Sequence, residues 1–337
     1  MADQPRNPTI IDVAERAGVS KSVVSRVMTG QGSVGTDTRK RVLAAAEDLG
    51  YVVNAVARTM VARRTHTIGV FVRDAATPFY GHLLTAMQER AAELGYRVVT
   101  ATGSGRFALA DERRALDTLV QLQVEGLVVC SGLLPASSIT PLATRIPLVV
   151  AGRPETHAAV TSVFCDEAHG GAALADHVVD LGHRHVAVLT LGPEQSLTMG
   201  PRTAAMVRRL RERGVGVVEQ RGRRADDTDE AVDGVLAHPE VTALMTPSDI
   251  YALGVIDSLQ RRGCTVPDQM SVTGYDGIGV LRTPVLGLTT WVQPITAIGF
   301  RAVDAVVAQL DGQAPPAHHQ ALHGELLVGR TAGGPAR

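Results

Sequence analysis

Residues Thr9–Met28 read "TIIDVAERAGVSKSVVSRVM", and this stretch decides the first part of the fold. Thr9 is placed to cap a helix in which Ile10, Val13, Ala14 and Ala17 recur at helical spacing. Gly18 breaks that pattern and can take the positive φ of a tight turn. Ser20 then stands where a second helix would be capped, with Val23, Val24 and Val27 as its apolar face and Lys21, Ser22, Ser25 and Arg26 off it. Two short helices joined at a glycine form a helix-turn-helix arrangement, and neither is long enough to persist alone. A third pattern, "TDTRKRVLAAAEDLGY", capped at Thr36 or Asp37, turns Val42, Leu43, Ala46 and Leu49 inward and ends at Gly50. Three such helices can share one small core.

The polar side of the second helix then has a use. A helix fits the major groove of duplex DNA, and its first residues reach base edges. Lys21 can donate to guanine acceptors, Ser22 can donate or accept, and Ser25, Arg26 and Arg39 can hold phosphates, Arg26 also a guanine. A solvated face on a helical bundle is the plain alternative for Lys21 or Arg26 taken singly. Charge adds to the case. The chain has 337 residues and a net charge of −1. Residues 1–64 hold ten Lys/Arg against six Asp/Glu, which leaves the body acidic at −5. A basic front on an acidic body points to a polyanionic partner for the front alone.

This stretch, with "TRKRVLAAAEDLGYVVNAVARTM" after it, resembles the lactose-repressor (LacI/GalR) family of bacterial transcription regulators. The resemblance implies that Thr9, Ser20, Lys21, Ser22, Ser25, Arg26 and Arg39 face operator DNA. It also implies that "VVNAVARTMVARRT" is a hinge helix which orders on DNA and enters the minor groove beside its dimer mate. Asn54 would cap that helix, Ala57 lie on it, and Met60 stand where the family's wedge is leucine; methionine is also a wedge type. Arg63 and Arg64 would meet phosphates. An ordinary linker is the plain reading of the same segment. "GQGSVG" (Gly30–Gly35) matches a dinucleotide fingerprint but lacks the strand that must precede one. It is read as a loop, and no cofactor is expected.

From Thr67 the pattern changes to strands that are apolar throughout, alternating with helices: "TIGVFVRD", "FYGHLLTAMQERAAELG", "YRVVTATGS", "GLVVCSG", "IPLVVAGR", then "GGAALADHVVDLG", "HVAVLTLG", "VTALMTPSD", "YALGVIDSLQRRG" and "SVTGYDG". Such alternation means parallel sheets covered on both faces. Its length suits two α/β lobes around a cleft, the type I periplasmic-binding-protein fold that the resemblance also implies. The expected division is residues 1–53 for DNA binding, 54–66 for hinge and linker, and 67–330 for an effector-binding and dimerisation core.

Ligands of open parallel sheets sit at the carboxyl ends of strands. Those ends offer Asp74 with Phe79 and Tyr80, Gly103 to Gly105, Ser131, Arg153, Gly192 to Ser196, Ser248 with Asp249, and Tyr275 with Asp276; Arg202 follows the Gly192 loop and begins a helix, and Trp291 lies where the chain recrosses between lobes. Carboxylates and guanidiniums can each pair with neighbouring hydroxyls of a sugar; Phe79, Tyr80 and Trp291 would be stacking surfaces. Asp249 as a helix cap and Asp276 as a turn residue are the structural alternatives. Ser248 departs from the asparagine many relatives carry, and Gly277 follows Asp276 where a second acid is common.

Other chemistry is weakly supported. Cys130, Cys165 and Cys264 are too scattered for a disulfide framework or a C-x-x-C metal pair. His183 and His185 lack a third ligand, and His318, His319 and His323 read as solvated. No G-x-S-x-G elbow or H-E-x-x-H motif appears, so no catalysis is expected. "MADQPRNPTI" has no apolar signal region and no run is long enough to span a bilayer, which suggests a cytoplasmic protein. The tail "GRTAGGPAR" has no apolar heptad, favouring a dimer over a coiled-coil tetramer. The expected function is a repressor that binds near-palindromic double-stranded operator DNA under control of a small-molecule effector. A solute-binding transport protein is the alternative, and sequence does not fix repression against activation.

Overall fold

The computed structural model describes residues 8–29, 32–51, 64–103, 108–155, 157–192, 195–314 and 318–335. It divides into two compact units, Met1–Thr65 and His66–Arg337.

The first unit is helical. Helix α1 (Ile10–Ala17) opens with a reciprocal box: Asp12 N–H donates to the Thr9 hydroxyl at 3.4 Å, and Thr9 N–H donates to the Asp12 carboxylate at 2.6 Å. It stops at Gly18, φ 64°, where Val19 N–H donates back to the Ala14 carbonyl at 3.0 Å. Helices α2 (Lys21–Thr29) and α3 (Thr36–Asp48) follow. Val13, Ala14, Ala17, Val24, Val27, Val42, Ala45 and Ala46 are buried together. Three sequence expectations shift. The Ser20 hydroxyl pairs with the Ser22 hydroxyl at 2.9 Å and caps no backbone N–H among the described residues. Gly35, not Thr36 or Asp37, is the N-cap of α3. Leu43 is 49% exposed because Ala45 and Ala46 take the inward stripe.

The second unit holds two six-stranded sheets. Its elements are β1 (Thr67–Val72), α4 (Pro78–Glu93), β2 (Arg97–Thr102), α5 (Leu109–Gln121), β3 (Gly126–Cys130), α6 (Ala136–Ala143), β4 (Leu148–Ala151) and β5 (Thr161–Cys165). Then come α7 (Glu167–Asp180), β6 (His185–Thr190), α8 (Met199–Glu212), β7 (Gly216–Arg221), α9 (Asp229–Leu236), β8 (Ala243–Met245), α10 (Asp249–Arg261) and β9 (Ser271–Asp276). The chain finishes through β10 (Thr289–Val292), α11 (Ile295–Leu310), β11 (His319–Leu322) and β12 (Glu325–Leu327).

One sheet runs β11-β5-β4-β3-β1-β2 and the other β12-β10-β9-β8-β6-β7. Every pairing is parallel except β10 with β12. The chain therefore changes lobe three times, after β5, after β10 and after β11. Fully buried strands such as β3 and β9 explain the unbroken apolar runs. His319 is exposed, in keeping with its solvated reading, but it opens β11 and bonds through Nδ1 to the Ser162 hydroxyl at 3.0 Å. His183 is buried, its ring nitrogens 2.8 Å from the Thr242 hydroxyl and 2.8 Å from the Gly333 carbonyl, so it ties down the C-terminal segment.

In each sheet the strand order reverses beside the first strand of the lobe: β1 lies between β2 and β3, and β6 between β7 and β8. The crevices at these reversals face ligands in open α/β sheets. Close packing fixes the second lobe around them. A Cβ on Gly171 of α7 would sit 2.5 Å from the Arg202 carbonyl of α8, so only glycine lets the two helices approach this far. That approach sets where Arg202 lies.

Candidate functional site

On the first unit, α2 turns its valines inward and its polar residues out. Lys21, Ser22 and Arg26 are exposed, and Ser25 and Arg39 are half-buried. Arg26 donates from Nε to the Ser22 carbonyl at 3.3 Å, which holds its guanidinium along the helix. Thr9 is engaged by Asp12 in the cap. Arg64 is exposed. Asn54, Ala57, Met60 and Arg63, the hinge residues, lie outside the described residues.

The second unit contains a cavity of about 500 Å³ between its lobes. That volume suits a small metabolite. Seven of the expected residues line it: Asp74, Phe79, Tyr80, Ser131, Arg202, Ser248 and Asp276. Three do not. Arg153 turns inward, donating from Nε to the Ser131 carbonyl at 2.8 Å and from Nη2 to the Leu134 carbonyl at 2.7 Å, and pairs with Glu155. It braces the loop that carries Ser131. Asp249 is wholly buried; it accepts from Gly277 N–H at 2.7 Å and the Thr290 hydroxyl at 2.6 Å, so it holds the turn after β9. Trp291 is buried at a lobe crossing, edge-on to His169 with ring centroids 5.6 Å apart. Gln195 and Ser196, from the Gly192–Ser196 stretch offered by the sequence, also line the cavity; sequence reasoning missed Arg73, Arg223, Arg224, Tyr251 and Gln293, which line it too.

The deepest polar group is built on Arg202. Glu167, at the start of α7, takes it in a fork, 2.7 Å to Nε and 3.0 Å to Nη2. Its Nη1 donates to the Pro247 carbonyl and, at 3.3 Å, to Asp276. The guanidinium lies 3.7 Å above the Tyr275 ring. Burial works against its charge, and Glu167 and Asp276 outweigh that, holding its pKa above the usual arginine value. Arg202 is therefore largely saturated by the protein.

Asp276 has φ 122°, a backbone that L residues rarely adopt, and it is followed by Gly277 at φ 61°. Strain of this kind persists where the surroundings over-determine it. Here Gln293 does so, donating from Nε2 to Oδ1 at 2.6 Å and from its backbone N–H to the Asp276 carbonyl at 3.0 Å. Oδ2 accepts no hydrogen bond from a described residue, and Asp276 lines the cavity. Ser248, 3% exposed, likewise has no hydrogen bond to its hydroxyl among the described residues. The pocket thus offers a carboxylate acceptor and a hydroxyl donor–acceptor, with Phe79, Tyr80 and Tyr251 as apolar walls. The Ser131 hydroxyl is committed: it donates to Glu112 at 2.5 Å and accepts from Leu133 and Leu134 N–H at 3.0 Å.

Burial pushes the Asp276 carboxyl up to about 7; Arg202 opposes this and Asp249 adds to it. Burial likewise lifts Asp249 to about 6. Above the ordinary carboxylate value of 3.8 the native protein keeps a proton on the buried Asp249–Asp276 pair that the unfolded chain has released. The stability this gives is full below the unfolded value and is lost as pH rises through the raised values of the pair. Asp276→Asn flattens the slope of stability against pH in that range, measured by urea titrations at stepped pH. An unchanged slope would place the proton elsewhere.

A family model described as bacterial regulatory proteins, lacI family, matches residues 9–54, and a periplasmic binding protein-like domain matches residues 175–332. Catabolite control protein A of Priestia megaterium is 31% identical over 303 residues, 88% of this chain and 91% of that protein. This chain belongs to the LacI family of bacterial regulatory proteins. As a LacI-family member it also shares its architecture with solved structures. The Lac repressor dimer bound to operator and the anti-inducer ONPF has a TM-score of 0.82 at 26% identity, covering 97% of this chain and 99% of that one. The transcriptional regulator CelR in complex with cellobiose has a TM-score of 0.68 at 27% identity, covering 96% and 99%. These relatives are regulators of transcription, and so is this LacI-family chain.

Proposed function

We propose that this LacI-family regulator is a repressor that works as a homodimer on near-palindromic operator DNA in the bacterial cytoplasm. A small hydroxyl-bearing effector in the cleft sets its DNA affinity. The outward face of α2 carries the proposal: Lys21, Ser22 and Arg26 stand exposed on a helix whose other side is sealed by Val24 and Val27. A helix of this kind reads base edges with its first residues. A solute-binding transport protein has no use for that unit. The relatives support the reading, because one is solved on operator as a dimer and another with a disaccharide.

In the cleft, Asp276 Oδ2 and the Ser248 hydroxyl match vicinal hydroxyls, each of which donates and accepts. Asp74, Phe79, Tyr80, Ser131 and Arg202 complete the contact surface or hold it in shape. Effector and operator must prefer different lobe arrangements, with a coupling of roughly 1–3 kcal/mol. The hinge residues Asn54, Ala57 and Met60 would carry that arrangement to the minor groove, with Arg63 and Arg64 on phosphates. No turnover of the effector is expected.

Selection of bound genomic fragments by the purified protein yields the operator and, through the neighbouring genes, the metabolites to titrate. On that operator, Lys21→Ala loses about 1–3 kcal/mol and relaxes base preference at one position, whereas Arg64→Ala weakens all sequences alike and lowers the salt slope by about one. Recovery of no enriched fragment, or equal effects of the two substitutions on all sequences, overturns this assignment.

A further inference from the structure

Away from the three lobe crossings, two hydrogen bonds among the described residues bridge the cleft, and both end on the short segment Gln195–Leu197. Arg73, just past β1 in the first lobe, donates from Nη2 to the Gln195 carbonyl at 3.0 Å. Leu197 N–H donates to the Gly132 carbonyl at 2.7 Å. The second lobe holds this segment rigidly. The Gln195 side chain accepts from Gly192 N–H at 3.0 Å and donates to the Arg223 carbonyl at 2.8 Å and the Gly222 carbonyl at 3.3 Å.

Arg73 has a second acceptor beneath it in its own lobe. Glu112 of α5 is 1% exposed, and its Oε1 lies 3.8 Å from Arg73 Nε. Oε2 takes the Ser131 hydroxyl, but Oε1 is buried with no hydrogen-bond partner. A buried carboxylate oxygen left in this way is costly, and burial holds the Glu112 carboxyl above its usual range. A movement of about 1 Å would complete its bond to the guanidinium.

We propose that Arg73 is a two-position latch on the cleft: with the lobes together it donates across to the Gln195 carbonyl, and as they part it drops onto Glu112. Glu112 is a positioning residue, acting on the lobes through Arg73. An acceptor in each lobe, Gln195 across the cleft and Glu112 beneath, gives the guanidinium a place to settle on either side, and elements with two arrangements turn a small shift at a ligand site into a switch. An effector that touches Arg73 in the cavity wall biases the choice. The latch takes the cleft to be the effector site, as proposed above, but its test needs neither effector nor DNA.

A Cβ at Gly132 would lie 3.6 Å from the Ser196 hydroxyl across the cleft. Cysteines at both positions, oxidised with diamide in the full-length protein, therefore trap the closed lobes. The rate of trapping reads the closed population. In that background Glu112→Gln, which keeps an acceptor for Ser131 but removes the charge that draws Arg73 down, speeds trapping about tenfold, the effect of one charge-assisted hydrogen bond. Arg73→Met slows trapping by a similar factor. In Arg73→Met protein, Glu112→Gln has no further effect. An unchanged rate in Glu112→Gln, or the same acceleration with Arg73 absent, overturns the latch. Thermal melts confirm that each variant is folded, and reduction by dithiothreitol confirms the cross-link. Fragment selection on the same preparations reads the regulator function separately, so failure of one reading is distinguishable from failure of the other.

Discussion

A chain shortened to begin at His66 loses its retention of operator fragments by at least about a thousandfold while keeping both sheets. Each unit has its own core. The eight buried residues from Val13 to Ala46 close the first unit, and the second is built on residues from Ile68 onward. The body that remains is acidic, with a net charge of about −5 from the sequence count, and an acidic surface repels phosphates. Specific operator binding exceeds non-specific binding by about a thousandfold or more, and the shortened chain has lost the groups that supply both. Gel retardation with the selected operator measures the loss, and circular dichroism verifies the α/β fold. Equal retardation by the two chains would remove the basis for placing DNA recognition on α2.

Glu167→Ala destabilises the second unit by about 3–5 kcal/mol. The pair it breaks is buried on both sides, with Arg202 3% and Glu167 6% exposed. Its removal strands a guanidinium that water cannot reach, with Asp276 at 3.3 Å as the remaining carboxylate. Replacing both partners by methionine costs much less, since no charge is then left unpaired. Urea unfolding of the three proteins makes the comparison. A single variant as stable as the parent would show that Arg202 finds solvent or another partner when Glu167 is gone.

Much of this architecture is legible in the chain because its signals are local. A capping threonine, a glycine at the required spacing and valines on one stripe are enough to draw α1 and α2. Unbroken apolar runs between helical patterns announce parallel sheets, and polar residues at their ends mark the crevice. The errors come from what is not local. Arg153 and Asp249 stand at strand ends like true wall residues, yet each side chain turns to bind the backbone of a neighbouring loop, and nothing in their spacing reveals that direction. Arg73 sits one position before Asp74 and was passed over as the end of an apolar strand. Tyr251 and Gln293 come from separate segments that meet only when the second lobe is folded. β11, which His319 opens, is not legible because a strand of four residues at a sheet edge leaves almost no pattern. Leu43 faces out because alanines, not the larger residue, fit the short distance between α1 and α3.

The threefold change of lobe has a consequence for synthesis on the ribosome. β11, at residues 319–322, is the outer strand of the first sheet, and α11 covers that sheet's face. The first lobe is thus incomplete until residue 322 has been translated, although most of it emerges early. The helical unit at the front closes with residues within the first fifty-one and can be finished long before. A nascent chain therefore passes through a period when its DNA-facing portion is mature and its metabolite-sensing portion is not.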